Sequence, residues 1–146
     1  MKTFGKTLAV AIVAVAFNAA ANAQSVPASK VPAPVKATFM KTYPTVTKVK
    51  WEMEKGNYEA GFVSQKQETS AVFTADGKML ESEVEIKTAA LPAPVLAYVK
   101  DNYKGKSIKE AAKITKTGGE VNYEAEVAGK DLLFDSTGKF IEVAKD

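Results

Sequence analysis

Three blocks of this sequence occur twice, in the same order. Val31-Pro-Ala-Pro-Val35 returns as Leu91-Pro-Ala-Pro-Val95, sixty positions later, with Ala37 matching Ala97 and Tyr43 matching Tyr103. Asn57-Tyr-Glu-Ala60 returns as Asn122-Tyr-Glu-Ala125. Phe73-Thr-Ala-Asp-Gly-Lys-Met-Leu-Glu81 returns as Phe134-Asp-Ser-Thr-Gly-Lys-Phe-Ile-Glu142. Such ordered recurrence marks a tandem duplication, so any fold must contain one unit twice and bury both copies' apolar faces. The repeats are placed at 31–88 and 89–146, forming one compact domain, with a short linker over 24–30.

Each repeat is expected to open with a helix. Pro34 and Pro94 suit a first helical position, where the missing N–H costs nothing. Val35, Phe39 and Tyr43 fall four apart, as do Val95, Val99 and Tyr103, giving one apolar stripe per helix. Pro44 stops the first helix and Gly105 the second. Helices of about three turns do not persist alone in water and must lie on another element. Period-two alternation supplies it: Val49, Trp51 and Met53 alternate with Lys48, Lys50, Glu52 and Glu54, and Leu80, Ser82, Val84 and Ile86 with Glu81, Glu83 and Glu85. Asp76-Gly77 reads as a hairpin whose two central positions both take positive φ. The predicted class is α+β: a tandem repeat of a helix followed by three to four antiparallel strands, forming one continuous sheet with both helices on one face. Half-polar strands place the other face in water.

Composition narrows the chemistry. All 20 basic residues are Lys; there is no Arg, no His and no Cys. Imidazole acid–base catalysis, thiol chemistry, disulfides and bidentate Arg clamps are thereby excluded, and a transition-metal centre lacks the His and Cys it normally draws on. Lys2 and Lys6, an apolar run over Leu8–Phe17, and Ala21-Asn22-Ala23 have the order of a secretory signal, so 1–23 is expected to be removed between Ala23 and Gln24. The remaining 123 residues carry 18 Lys and 17 acidic residues, a net charge of +1. A near-neutral chain lacking Arg is poorly equipped for nucleic acid. Without Cys there is no lipid-anchor site, so a periplasmic or released product with no membrane anchor is expected.

A resemblance follows from particular residues. Tyr43-Pro44, Lys48-Val-Lys-Trp-Glu52, Asn57-Tyr-Glu59 and Phe73 to Glu81 with Asp76-Gly77-Lys78 resemble the PepSY-like, β-lactamase-inhibitor-like secreted proteins of Bacteroidetes-type bacteria. The resemblance covers the chain beyond residue 23 as two copies of the unit. It implies an antiparallel sheet packed by helices and an inhibitory or binding role towards enzymes such as proteases, and it supplies no catalytic residues. The second copy departs from the pattern: Thr137 replaces Asp76, and Ile114 is expected opposite Trp51.

Other motifs yield to simpler readings. Ser136-Thr-Gly-Lys139 and Lys116-Thr-Gly118 match the S-x-x-K and K-T-G of penicillin-recognising enzymes, but in reversed order and on hairpin turns. Glu81, Glu83 and Glu85 stand about 7 Å apart along one strand face, too far for tight shared coordination of a cation. Glu59 and Glu124 occupy equivalent repeat positions and read as structural duplicates.

Three functions are open on this basis. The first is a non-catalytic binding or inhibitory module for an envelope or secreted protein or peptide, monomeric and without cofactor or metal. Its partner-binding face is predicted as Lys48, Lys50, Glu52, Glu59, Glu81, Glu83 and Glu85. The second is a carrier or sensor of a small envelope ligand near Tyr43, Trp51 and Tyr103, and an enzyme ranks last.

Overall fold

A proline fixes where each helix starts. In the computed structural model, which describes residues 23–144, Pro32 and Pro92 cap the two helices in nearly identical extended conformations, with φ −54° in both. Pro34 and Pro94 sit in the first turn. Helix α1 runs over Ala33–Thr42 and α2 over Ala93–Asn102, each closed by a tyrosine, Tyr43 or Tyr103, whose N–H reaches back to Phe39 or Val99 at 2.8 Å. The signal segment predicted over 1–23 lies, except for Ala23, outside the described residues.

The strands are β1 (Gln24–Val26), β2 (Lys50–Glu54), β3 (Asn57–Ser64), β4 (Gln67–Phe73), β5 (Met79–Glu85), β6 (Ile108–Lys116), β7 (Val121–Val127), β8 (Lys130–Asp135) and β9 (Phe140–Val143). They form one nine-stranded sheet in chain order, every neighbour antiparallel. The predicted α+β architecture is the observed one, with the expected duplication in it.

Residues 24–30, expected as a linker, instead form edge strand β1 and a 3-10 turn over Ala28–Lys30. The duplication explains this. Sixty positions on, the end of β5 leads into the 3-10 turn over Thr88–Ala90 and then α2. Val26 lies opposite Trp51, and its counterpart Ile86 donates its N–H to Ala111, the counterpart of Trp51, at 2.9 Å. The other end of β5 matches β9: Phe73 faces Met79 as Phe134 faces Phe140, each next to a register shift. Strand β5 therefore closes the first unit with one end and opens the second with the other.

Most buried apolar side chains gather into two clusters, one under each helix. Val35, Phe39, Trp51, Phe62 and Phe73 centre the first; Val95, Val99, Val127, Leu132 and Phe134 centre the second. The expectation that Ile114 stands in for Trp51 is corrected. Ile114 lies opposite Glu83 and Asn122, on the sheet face away from the helices, and packs with Leu133. The β6–β7 hairpin is longer than β2–β3, so register must be counted from the helix, which puts Ala111 where Trp51 stands. Aromatic bulk is recovered from the helix side, where Tyr98 stacks on Phe140 with centroids 4.6 Å apart.

The Asp76-Gly77 hairpin is also corrected. Only Gly77 has positive φ (92°), and the N–H of Gly77 reaches Thr74 O while that of Thr74 reaches Lys78 O, both at 2.9 Å. A turn of this kind, ending on a left-handed glycine, accommodates the register shift beside it.

Candidate functional site

Alternation along β3–β8 sends one set of side chains to the face opposite the helices, and their character is unexpected. Glu59, Ser70, Glu81, Glu83, Ala112, Ile114, Asn122, Glu124 and Leu133 on that face are all buried. The predicted solvated charged surface is thus corrected at Glu59, Glu81 and Glu83, which are buried among cross-strand neighbours that include Val72, Ser70 and Ile114.

Register brings acids of the two repeats together. Ala112 on β6 lies between Glu85 of β5 and Glu124 of β7. One row away, Ile114 separates Glu83 from Asn122. On the other side Glu126 lies between Glu110 and Asp131. The methyl of Ala112 leaves a recess of about 30 Å³ lined by Glu68, Ser70, Glu83, Glu85, Glu124 and Asp131, among others. Glu83 (9% exposed) and Glu124 (6%) lie deep in it, with Glu68, Glu85 and Glu110 exposed at its rim.

The first repeat differs at the position that opens the recess. Counting from the helix, the position of Ala112 is held by Glu52, opposite Glu59 as Ala112 is opposite Glu124. The recess is a departure of the second copy from the first.

Burial sets the electrostatics. It pushes the Glu124 carboxyl up to about 8, helped by Asp131, Glu126, Glu81 and Glu110. It pushes Glu59 up to about 7, against the opposing hydrogen bond from Ser70. Glu83 is raised well above the carboxylate range by burial and then by Glu124, Glu59, Glu81 and Asp131. Glu81 is raised by burial, partly offset by Lys116. Oε2 of Glu124 and Oε1 of Glu59 are buried without a hydrogen-bond partner, a costly state for a carboxylate oxygen. At the rim, Lys109 Nζ reaches Glu126 at 3.4 Å.

The seven residues predicted as a partner face are therefore divided. Glu83 and Glu85 line the recess, with Glu59 and Glu81 electrostatically coupled to Glu83 from β3 and β5. Lys50 and Glu52 pair with each other at 2.7 Å on β2, and Lys48 lies in the exposed segment before it. Lys48 and Lys50 instead border an open groove of about 560 Å³ between residues 45–50 and Gly61–Val63. Sequence reasoning missed Glu124, Glu126, Glu110, Asp131 and Glu68. The signal available for Glu124 was its match to Glu59, which alternation places on the same face.

The alternative ligand site does not assemble. Tyr43 and Trp51 pack in the first cluster and Tyr103 in the second. Trp51 is filled around by Phe39 and Phe73, at centroid distances of 5.4 and 6.2 Å. Among the described residues, no three acidic groups stand close enough together to hold a metal ion. No described helix is long and apolar enough to cross a membrane.

The family model described as "putative beta-lactamase-inhibitor-like, PepSY-like" matches residues 18–80 and again 56–142. The chain belongs to this family. Its fold is shared by several solved Bacteroides proteins. A DUF2874 family protein from Bacteroides uniformis is 22% identical, with a TM-score of 0.70, over 77% of this chain and 87% of that one. A protein from Bacteroides eggerthii, described among "putative periplasmic proteins", is 19% identical, with a TM-score of 0.71 and the same coverage. A BLIP-like protein from Bacteroides fragilis is 21% identical, with a TM-score of 0.59, over 83% and 90% of the two chains. No curated protein matches the chain.

Proposed function

We propose that this protein is a non-catalytic binding module of the periplasm that holds a protein or peptide partner on the sheet face opposite its helices. The observation carrying this reading is the recess around Ala112, where buried carboxylates meet an exposed acidic rim. Buried polar groups without partners cost stability, and their retention at a surface opening favours a role in recognition. The descriptions of the Bacteroides relatives as periplasmic and BLIP-like support the setting and the mode of action, as does the signal-like order of residues 1–23.

Raised carboxyls also suit acid–base catalysis, but substrate sites span roughly 300–1,000 Å³. The recess, at about 30 Å³, is an order of magnitude smaller. Binding through contact around it is the better fit.

Chemical cross-linking of the chain in the periplasm of its native host, followed by identification of the adducts, tests the reading. We expect a defined partner that the Glu83→Gln/Glu124→Gln variant fails to retain. No adduct, or equal retention by the variant, would count against it.

A further inference from the structure

We propose that the recess seats the ammonium group of a lysine side chain presented by the partner, its methylene stem lying over Ala112. This rests on the reading of the recess as the binding face and names the group it accepts.

Four observations converge on it. Glu124 Oε2 is a buried acceptor with no donor, in a recess whose polar lining is dominated by carboxylates. The recess is small, about 30 Å³, and an ammonium is a compact, water-sized, tetrahedral donor of three hydrogen bonds. A guanidinium is a planar group whose five N–H donors lie in a fixed fork, so it matches a small carboxylate-lined recess less closely than a compact ammonium. A bare metal ion is disfavoured because no three acidic groups among the described residues are close enough to clasp one.

Lys109 reaches the recess only at its rim, through Glu126, and among the described residues no β6 lysine is ion-paired with Glu83 or Glu124. Lys109 bridges to Glu126, Lys116 bridges to Glu120 at 3.3 Å, and Lys113 lies opposite Val84 and Tyr123, in register with the helix side. The repeat comparison supplies the steric half of the argument. Where the first copy has Glu52, the second has Ala112, so the gap opens at a position that a carboxylate side chain fills in the first copy.

Carbon-detected NMR of the Glu83 and Glu124 carboxyls tests this directly, with capped pentapeptides as probes. Acetyl-Ala-Ala-Lys-Ala-Ala-amide is expected to shift both resonances saturably. The norleucine peptide should leave them unmoved, and the arginine peptide should bind at least fivefold more weakly. Affinity should rise at least fivefold from pH 6.0 to 8.5, because the bound carboxylate is the ionised one. Glu124→Gln should lose tenfold or more, and Ala112→Leu, which fills the gap while keeping every charge, should do the same; Glu52→Gln should change nothing.

The inference is overturned if the norleucine or arginine peptide matches the lysine peptide, or if Ala112→Leu binds normally. It is also overturned if calcium chloride shifts the same resonances at micromolar concentration and displaces the peptide, which makes the recess a metal site. Peptide binding absent while cross-linking to a partner persists removes this inference alone. Absent cross-linking removes the reading beneath it.

Discussion

Thr38 Oγ1 donates a 2.7 Å hydrogen bond to the carbonyl of Gly77, tying the middle of helix α1 to the β4–β5 hairpin. The contact is close because Gly77 has no side chain: a Cβ there would stand 2.6 Å from the Pro34 carbonyl oxygen, on a backbone with φ of 92°. Gly77→Ala should therefore destabilise the chain by about 2–4 kcal/mol, from left-handed strain plus overpacking. At Gly138, the repeat equivalent, a Cβ meets only the side chains of Pro92 and Pro94 at 3.0–3.1 Å, so Gly138→Ala should cost less. Thr38→Val should cost about 1 kcal/mol. Urea denaturation of the three variants checks this order.

Stability should fall as pH rises through neutrality. Glu59 and Glu124 stay protonated in the folded chain up to about 7 and about 8, whereas in the unfolded chain they ionise near the ordinary glutamate value of 4.5. Folding thus takes up protons between these limits, and the stability present below pH 4.5 is lost by about pH 8. The loss should be on the order of several kcal/mol, given about 1.4 kcal/mol per pKa unit. Asp76 and Asp135 act in the opposite sense. Hydrogen bonds, chiefly from Thr74 and Thr137, hold them below the usual range, so they affect only the acid limb. Unfolding midpoints at pH 5 and 8.5 should differ clearly in the wild type and less in Glu59→Gln and Glu124→Gln.

The β3–β4 turn carries avoidable strain. Gln65 and Lys66 have φ of 50° and 64°, whereas the turns at Lys55-Gly56 and Ala128-Gly129 each place glycine second. Left-handed backbone costs roughly 1–2 kcal/mol for a residue bearing Cβ. Replacing the pair by Asn-Gly, the preferred sequence for this turn, should stabilise the fold by about 1–2 kcal/mol, read as a raised thermal midpoint.

Core bulk is not interchangeable between the halves. Trp51→Ala removes the ring that Phe39 and Phe73 pack against and should cost about 3–5 kcal/mol. Ala111→Trp, its counterpart in the second half, should also destabilise, by about 1–3 kcal/mol or more, since Tyr98 and Phe140 already supply the bulk beside Phe134. Chemical denaturation of both variants measures the asymmetry.

Much of this architecture is legible in the letters. The Pro-Ala-Pro blocks mark both helix starts, and Trp51, Tyr58 and Phe73 mark strands by alternation, because local propensity and burial agree there. Strand β1 is not legible by itself, since three residues carry too little periodicity; only the match of Val26 to Ile86 betrays it. Ile114 misleads because the longer β6–β7 hairpin breaks the constant offset between copies. The recess is hidden for a different reason. Glu83 and Glu124 come from different repeats, and only the pairing of both β5 and β7 with β6 makes them neighbours. Their burial depends on Ala112 and Ile114, residues that draw no attention in a list of charged positions.

Strand β5 serves both units, and that sharing makes the architecture open to extension. A third copy spliced in at β5 would add four strands and one helix, joined by the same backbone ladder and requiring no new kind of contact. The terminal strands β1 and β9 are the two halves of such a strand, drawn apart to opposite edges of the sheet. Length in this fold is therefore a matter of how many repeats one chain carries, not of a shape that closes on itself.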